Sequence, residues 1–181
     1  MCQRISVVGT TGSGKTTTAQ EISKRLNIPH IELDSLYWGE NWEGVPEDVF
    51  HSRVRKAVSG EEWVIDGNYS RIRPLIWERA EMVVYLDFSF WRVFWQLLTR
   101  TFQRSIQKEE LWSGNREDLG KSFFSRDSIL FWMLTTYHRR RRQYPALFQK
   151  PEFSHLQIVH LKTPRMRDEW LASLSKWHLS K

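Results

Sequence analysis

The residues best suited to chemistry lie near the start of the chain, in residues 9–16, which read GTTGSGKT. This segment fits the phosphate-binding pattern G-x-x-x-x-G-K-[ST], with an apolar run before it and helical spacing after it. Glycines let the backbone curl so that N–H groups face phosphate oxygens, and the following helix N-terminus adds donors. The pattern places Lys15 at the outer phosphates and the Thr16 hydroxyl on Mg²⁺. The predicted ATP-binding residues are Gly9, Thr10, Thr11, Gly12, Ser13, Gly14, Lys15, Thr16 and Thr17. The alternative is a glycine-rich turn without a ligand.

Two aspartates qualify as the metal-binding carboxylate that phosphoryl transfer needs near Thr16. Asp66 and Asp87 each follow a short apolar run. The pattern favours Asp66, because the Gly67 that follows it permits close approach of the backbone. Asp87 fits equally well as a helix cap or a turn residue. Both are also compatible with ordinary polar residues at the ends of strands.

A third carboxylate, Asp34, is predicted at the end of a second strand, residues 30–34. In open parallel sheets this edge is where ligands bind. Asp34 is therefore predicted either to act as general base on an acceptor hydroxyl or only to bind the acceptor, and a phosphate acceptor requires no base. The neighbouring Tyr37 and Trp38 either wall a pocket or belong to the core.

Several arginines are placed to contact phosphate, which guanidinium groups bind in a bidentate manner. Arg100 and Arg104 are four residues apart and share a helix face. Arg116 lies in a polar stretch, and Arg71 with Arg73 follows the Asp66 strand. Four consecutive arginines, residues 139–142, point in several directions around a helix, so at most two face one site. For this run a solvated face is the alternative.

The chain that positions these residues has 181 residues, which predicts one domain over residues 1–181. Its 27 Lys and Arg against 21 Asp and Glu leave a net charge of +6, which suits a polyanionic ligand and also nucleic acid. The single cysteine, Cys2, excludes an internal disulfide and is typical of a reducing compartment. We expect no secretory leader and no membrane span, and therefore a soluble, cytoplasmic protein.

Apolar β-type runs alternate with helical patterns, which predicts an α/β fold with a parallel sheet and crossover helices in three layers. Further strands are expected at residues 63–67, 82–87 and 156–161. Helices are expected after the phosphate-binding loop, after Pro46, and over about residues 88–107 and 122–149. The polar interval of about 105–125 between the two long helices is predicted to form a lid. The alternative is a helical hairpin that completes the core.

Four segments, residues 9–16, 33–38, 65–70 and 110–117, carry a resemblance to known proteins. The chain resembles the nucleoside-monophosphate-kinase superfamily of P-loop NTPases, to which adenylate and shikimate kinases belong. It is most similar to bacterial adenylate-kinase-related proteins, some of which are labelled topology modulation proteins. The resemblance implies a five-stranded sheet in the order 2-3-1-4-5 with a lid between strands four and five, and it implies ATP with Mg²⁺.

The resemblance also implies roles for individual residues. It favours Asp66 over Asp87 for the metal, and it places Pro164, in the loop after strand five, beside the adenine ring. One departure concerns the first arm of the lid, where related kinases carry two arginines. By position, Arg100 matches the later arginine, whereas the earlier one falls on Gln96.

Together these patterns predict Mg²⁺- and ATP-dependent phosphoryl transfer to a small acceptor, most simply a nucleotide or nucleoside-like molecule. The predicted catalytic residues are Lys15, Asp34, Arg100, Arg104 and Arg116, and the predicted metal ligands are Thr16 and Asp66. The predicted acceptor-binding residues are Asp34, Tyr37, Trp38, Gly67, Asn68, Tyr69, Arg71 and Arg73. One alternative is a nucleotide-binding regulator that contacts nucleic acid through a basic lid. Another is a degenerate kinase that binds nucleotide and signals by closing its lid.

Overall fold

A five-stranded parallel sheet organises the protein. The computed structural model describes residues 2–107, 112–114 and 129–178. The strands are β1 (Arg4–Gly9), β2 (His30–Glu32), β3 (Trp63–Asp66), β4 (Met82–Leu86) and β5 (Gln157–Leu161). Their order across the sheet is β2-β3-β1-β4-β5, and every neighbouring pair is parallel. The predicted order is confirmed, and the carboxyl ends of all strands meet at one edge.

Helices cover both faces of this sheet, which confirms the three-layer α/β prediction. They are α1 (Lys15–Leu26), α2 (Leu33–Tyr37), α3 (Glu47–Ala57), α4 (Arg73–Arg79), α5 (Phe90–Gln107), α6 (Ile129–Phe148) and α7 (Pro164–His178). Three short 3₁₀ turns are also described: Glu40–Trp42, Trp112–Gly114 and Pro151–Phe153. No described helix is both long enough and apolar enough to cross a lipid bilayer.

The alternation of side chains along each strand divides the core into two halves. Val7 and Val84 face the cluster that includes α1, α5 and α7, whereas Val8 and Val83 face the cluster that includes α3 and α4. Both faces of the central strands are therefore buried, as is typical of parallel sheets with helices on each side. α6 contributes to both halves, through Tyr137 in the first and Tyr144 in the second.

The second strand is shorter than predicted, so the expectation that Asp34 ends a strand is wrong. β2 pairs with β3 only as far as Glu32, which lies opposite Asp66. The chain then turns into α2, where Leu33 is buried and Asp34 lies in the first turn. Strands three and four likewise end before the predicted Gly67 and Asp87. Pairing between strands, which no single-sequence pattern reports, decides where each strand stops.

The short helix α2 was not predicted, and neither were α4 and α7. The latter two each have a proline near the start, Pro74 in α4 and Pro164 in α7, which is a helix-initiation signal because proline at the first position loses no hydrogen bond. α7 packs beside α1 through the buried Leu171 and Leu174. α4 thus provides the crossover from β3 to β4, whereas α7 follows the last strand and packs against α1 and β5.

Most of the predicted lid, residues 105–125, and the start predicted for the second long helix lie outside the described residues. The described turn Trp112–Gly114 contacts the segment after α2, where the Ser113 hydroxyl donates a hydrogen bond of 3.0 Å to the Trp38 carbonyl. α5 and α6, which flank the interval, contact each other. This part of the chain therefore reaches the segment that follows Asp34.

Replacing Gly67 with alanine tests how closely α2 is held against the sheet. Gly67 has a φ of 139°, and a Cβ there would lie 2.7 Å from Leu33 Cβ. We expect Gly67→Ala to lower the free energy of unfolding by about 2 kcal/mol, because backbone strain and overpacking both destabilise. Urea denaturation followed by circular dichroism measures this change. Gly60→Ala is the matched control, since the nearest atom would lie 3.9 Å away. Equal losses in the two variants would contradict the packing role.

Candidate functional site

The phosphate-binding loop ends at Gly14, which precedes α1 with φ 83° and ψ 29°. The first turn of α1 has no side-chain cap and no acidic residue. Its unpaired N–H groups and the positive end of its dipole are therefore available to an anion. Within the described part of the chain, the buried Ser13 hydroxyl also has no hydrogen-bond partner. These features fit the polyphosphate of a nucleotide.

Lys15 lies at the centre of the charged groups. Its Nζ donates a hydrogen bond of 3.1 Å to the Thr10 carbonyl. Burial is the largest cause that lowers the pKa of Lys15 to about 8. Arg140 and Arg100 lower this pKa further, whereas Asp66 and Asp34 raise it. The charges of two carboxylates and two guanidinium groups therefore all act on the Lys15 ammonium.

Asp66 and Thr16 meet beside the loop in a geometry that suits a metal ion. The Thr16 hydroxyl lies 3.4 Å from Asp66 Oδ1, and His30 Nε2 lies 3.0 Å from Asp66 Oδ2. Hydroxyl and carboxylate oxygens are the ligands that Mg²⁺ prefers, with phosphates and water completing its shell. His30 was not predicted as a site residue. It lies where it can orient Asp66, as groups behind metal ligands commonly do.

Asp87, the other candidate for the metal, has different partners. Its two carboxylate oxygens lie 2.8 Å from Arg141 Nε and 3.0 Å from His160 Nε2. These contacts tie β4 to α6 and β5. The geometry therefore favours Asp66 as the metal ligand and gives Asp87 a structural role.

Asp34 is held by a neighbouring tyrosine. The Tyr69 hydroxyl donates a hydrogen bond of 2.6 Å to Asp34 Oδ1. Burial, followed by the charge of Asp34, raises the pKa of Tyr69, so the phenol keeps its proton. Tyr69 also packs against Tyr37 and Phe50, with 4.9 Å between ring centroids in each pair. The predicted residues Tyr37 and Tyr69 thus form an aromatic wall that positions the carboxylate.

A cleft opens beside this aromatic wall and is strongly basic. Its described lining contains one acidic side chain, that of Glu47. The arginines and histidines in the same lining are Arg71, Arg73, Arg139, Arg140, Arg142, His51 and His138. Such an excess of positive charge attracts anions and raises their local concentration. The cleft is therefore suited to a small anionic molecule.

Several predicted acceptor-binding residues have structural partners. Arg71 Nη1 lies 2.9 Å from a Glu47 carboxylate oxygen, and Arg73 lies 5.5 Å from the ring centroids of both Trp77 and Tyr144. Gly67 gives room to Leu33, and Trp38 packs edge-on against Tyr37 with 4.8 Å between centroids. In the described part of the chain, these residues therefore pack against or pair with other residues of the protein.

Asn68, another predicted acceptor-binding residue, connects the phosphate-binding loop to α6. Its side-chain amide nitrogen donates a hydrogen bond to the Gly9 carbonyl. Its amide oxygen accepts a bond of 2.8 Å from the Tyr144 hydroxyl. Because Tyr144 is buried in α6, the position of the loop is coupled to the helix that carries the arginine run.

The four arginines of residues 139–142 point in different directions around α6, as the geometry of a helix requires. Arg141 pairs with Asp87, whereas Arg139 and Arg142 are exposed on the cleft. Arg140 is half-buried, burial is the largest cause that lowers its pKa, and its Nη1 atom has no hydrogen-bond partner among the described residues. Arg140 is the arginine of this run whose charge lowers the pKa of Lys15. The sequence pattern did not single out Arg140 from its neighbours.

Of the remaining predicted residues, Arg100, Thr17 and Pro164 are described, whereas the side chain of Arg104 and the whole of Arg116 are not. Arg100 is half-buried on α5, and its charge lowers the pKa of Lys15. Thr17 is exposed in the first turn of α1, and Pro164 begins α7.

Comparison with known proteins was made by sequence and by structure. No model of a known protein family matches the chain. The chain is similar to an uncharacterized protein of Bacillus subtilis (strain 168), YqaC, with 24% identity over 131 residues that cover 71% of this chain and 73% of that protein.

Solved structures resemble this one over nearly its whole length. A shikimate kinase from Bacteroides thetaiotaomicron matches with a TM-score of 0.56 and 16% identity, over 98% of each chain. The chain has the P-loop kinase fold. A shikimate kinase from Acinetobacter baumannii in complex with shikimate matches with a TM-score of 0.55 and 17% identity, over 99% of this chain and 94% of that one. A gluconokinase from Sinorhizobium meliloti matches with a TM-score of 0.53 and 19% identity, over 98% and 95%. The closer resemblance to adenylate-kinase-related proteins stays a prediction.

The metal site can be tested by exchanging its two candidate carboxylates. In the presence of ATP, we expect Mg²⁺ to raise the Tm of the wild-type protein, because a ligand that binds only the folded state stabilises it. Asp66→Asn should remove most of this added rise, whereas Asp87→Asn should keep it. His30→Ala should weaken Mg²⁺ binding by about tenfold. Thermal denaturation across a Mg²⁺ titration measures all three, and loss of the rise only in Asp87→Asn would contradict the assignment.

Lys15 should make nucleotide affinity depend on pH. With a pKa of about 8, the ammonium keeps its proton below that pH and loses it above. Because only the charged form attracts phosphate, affinity for ATP should fall above about pH 8, by up to about tenfold per pH unit. Titration with a fluorescent ATP analogue between about pH 6 and pH 9.5 measures this. The Lys15→Met variant should bind weakly without this fall, and an identical fall in that variant would assign it to another group.

Proposed function

We propose that this protein is an ATP- and Mg²⁺-dependent kinase whose small acceptor is nucleotide- or nucleoside-like, and that it prefers the acceptors that carry a negative charge. The observation that carries the proposal is the position of Lys15. Its pKa is raised by Asp66, beside the phosphate-binding loop, and by Asp34, beside the basic cleft, and it is lowered by two arginines. The donor site and the acceptor site would therefore adjoin each other at the Lys15 ammonium.

On the donor side, the loop and the first turn of α1 bind the phosphates through N–H groups. Thr16 and Asp66 would hold Mg²⁺, which would supply positive charge to offset the negative charge that develops during transfer. Lys15 remains charged at neutral pH and contacts the outer phosphates. His30, which lies 3.0 Å from Asp66 Oδ2, would fix the orientation of this carboxylate.

On the acceptor side, Tyr69 holds one oxygen of Asp34 and leaves the other oxygen for the acceptor. Asp34 would orient an acceptor hydroxyl and accept its proton, or contact a phosphate acceptor without proton transfer. The basic lining of the cleft favours an acceptor with a negative charge, and the rings of Tyr37 and Tyr69 favour a planar group. A nucleoside monophosphate combines these two features.

Arg140 is suited to the region between the two sites. It acts electrostatically on both Lys15 and Asp34, and its half-buried guanidinium has a donor atom available within the described structure. A fixed cation in a partly dehydrated site stabilises charge that develops on a transferring phosphoryl group. Arg140 therefore takes the role first assigned to lid arginines alone.

The alternative of a regulator that contacts nucleic acid has less support. Arg139 and Arg142 are exposed, but Arg141 pairs with Asp87, and Arg140 is half-buried in the cleft lining. Among the described residues, the run thus offers two exposed arginines without an ion pair rather than a continuous basic surface. Binding to DNA of any sequence at about 50 mM salt, weakening steeply as salt rises, would support the alternative.

An acceptor screen with matched pairs tests the proposed function. ADP release from ATP with Mg²⁺ should be stimulated by an anionic acceptor more than by its neutral counterpart, for example by a nucleoside monophosphate more than by the nucleoside. Lys15→Ala should reduce this turnover by about 10²-fold while retaining the fold, because it removes a charge-stabilising group. Turnover above about a tenth of the wild-type value would contradict the role of Lys15. Tight ATP binding without transfer to any acceptor would indicate a degenerate kinase.

Arg140→Ala should lower kcat by about 10²-fold with the acceptor that the screen identifies. Arg55→Ala, which removes an exposed arginine from α3 away from the cleft, is the charge-matched control and should leave kcat unchanged. Steady-state kinetics at several acceptor concentrations separate kcat from KM. A change in KM alone would show that Arg140 binds the acceptor without acting on the transferred group.

A further inference from the structure

An apolar stripe is exposed along the outer face of α5. Trp91, Trp95 and Phe102 are 68%, 58% and 56% exposed, and Leu98 between them is half-buried. Successive members are four, three and four residues apart, so all four lie on one side of the helix. Val93, on the other side of α5, is fully buried in the core. The described lining of the basic cleft contains no residue of α5.

Both tryptophans of this stripe are braced by other rings. The ring centroid of Phe94 lies 6.2 Å from that of Trp91 and 5.8 Å from that of Trp95, edge-on in each case. Phe94 also stacks on Phe90, which lies edge-on to the buried Tyr137 of α6 at 5.3 Å. Because these contacts already restrict the two indoles, they would lose little conformational freedom when a partner covers them.

The helix α6, which contacts α5, adds further exposed apolar side chains. Phe131 and Leu134 are 51% and 46% exposed, and the buried Met133 between them belongs to the same core cluster as part of α5. The hydroxyl groups nearby are satisfied within their own helices. Thr99 and Thr135 donate hydrogen bonds of 2.8 Å and 2.9 Å to carbonyls one turn earlier. Covering this region with apolar groups would therefore leave neither hydroxyl without a partner.

The area of this outer surface matches that of a stable interface. The outer surface consists of Trp91, Trp95, Phe102, Phe131 and Leu134. With about 150 to 250 Å² for a whole aromatic side chain, the exposed parts of these residues amount to about 600 Å². A standard interface buries about 800 Å² on each partner, of which roughly 60% is apolar. The outer surface would therefore supply the apolar share of one such interface.

The spacing along α5 favours a second copy of this chain as the partner. The order of four, three and four residues is the same in both directions, so the stripe is complementary to itself in an antiparallel pair. A two-fold axis between Trp95 and Leu98 would place Trp91 of one chain against Phe102 of the other. The same axis would place Trp95 against Leu98, as in a self-complementary interface between identical chains.

A lipid surface fits α5 less well. A helix that lies on a membrane carries exposed basic residues along its polar face. Among the described side chains of α5, Arg92 is the one exposed arginine, whereas Arg100 is half-buried. This helix therefore lacks the basic face that would bind anionic headgroups.

We infer that the protein forms a symmetric dimer through the outer surface, with α5 antiparallel to α5 of the second copy. This contact lies outside the basic cleft, and it does not require the proposed kinase activity. The dimer would cover the exposed tryptophans, which a monomer leaves in water.

Sedimentation velocity and light scattering on the full chain test this dimer. The wild-type protein should have the mass of two chains and dissociate on dilution, and its Tm should rise with protein concentration. Trp95→Ala should weaken dimerisation by about 10²-fold or more, because a central tryptophan is lost from both copies. Phe102→Ala should weaken it as well. Trp132→Ala is the matched control, since this indole is 50% exposed but lies in the cleft lining, and this variant should dimerise as the wild type does.

Circular dichroism shows whether each variant is folded, and Phe102→Ala serves if Trp95→Ala is not. A wild-type protein that stays monomeric at every concentration would overturn the inference. Unchanged dimerisation in folded Trp95→Ala and Phe102→Ala, or an equal loss in Trp132→Ala, would place the interface elsewhere and also overturn it. A monomer that binds phosphatidylglycerol vesicles through Trp95 would assign the outer surface to a lipid instead.

Discussion

The structure depends on the concentration of positive charge around the first turn of α1, which two carboxylates only partly offset. The first turn of α1 has neither a side-chain cap nor an acidic residue, and it begins with Lys15, whose pKa is lowered chiefly by burial. Arg140 and Arg100 add further positive charge to the same region. Such an arrangement is unfavourable in isolation and becomes favourable when a polyanion binds. The molecule is therefore best understood as a preorganised receptor for phosphate.

The surrounding contacts keep this receptor rigid and connect it to both ends of the site. Asn68 joins Gly9 in the loop to Tyr144 in α6, and Asp66 is held by His30. Asp34 depends in turn on Tyr69. A change in the position of α6 would therefore reach the loop through a single amide. This linkage couples the position of α6 to that of the phosphate-binding loop.

Resemblance in fold and resemblance in chemistry carry different weight here. Identities of 16 to 19% with kinases of shikimate and gluconate establish a common architecture. The acceptor is decided by the side chains of the cleft, since one fold serves many substrates. In this chain those side chains are predominantly basic and aromatic, which is the chemical basis for proposing an anionic, planar acceptor.

The sequence by itself determined the phosphate-binding loop, the alternation of strands and helices, and the candidates Lys15, Thr16 and Asp66, because these depend on local spacing and on backbone conformation. The order of the strands came from resemblance, and pairing in the sheet confirmed it. Only the tertiary structure moved Asp34 into α2 and selected Arg140 from four consecutive arginines. It also brought His30 to Asp66. These contacts join residues far apart in the chain, and packing between elements, which no local pattern encodes, decides them.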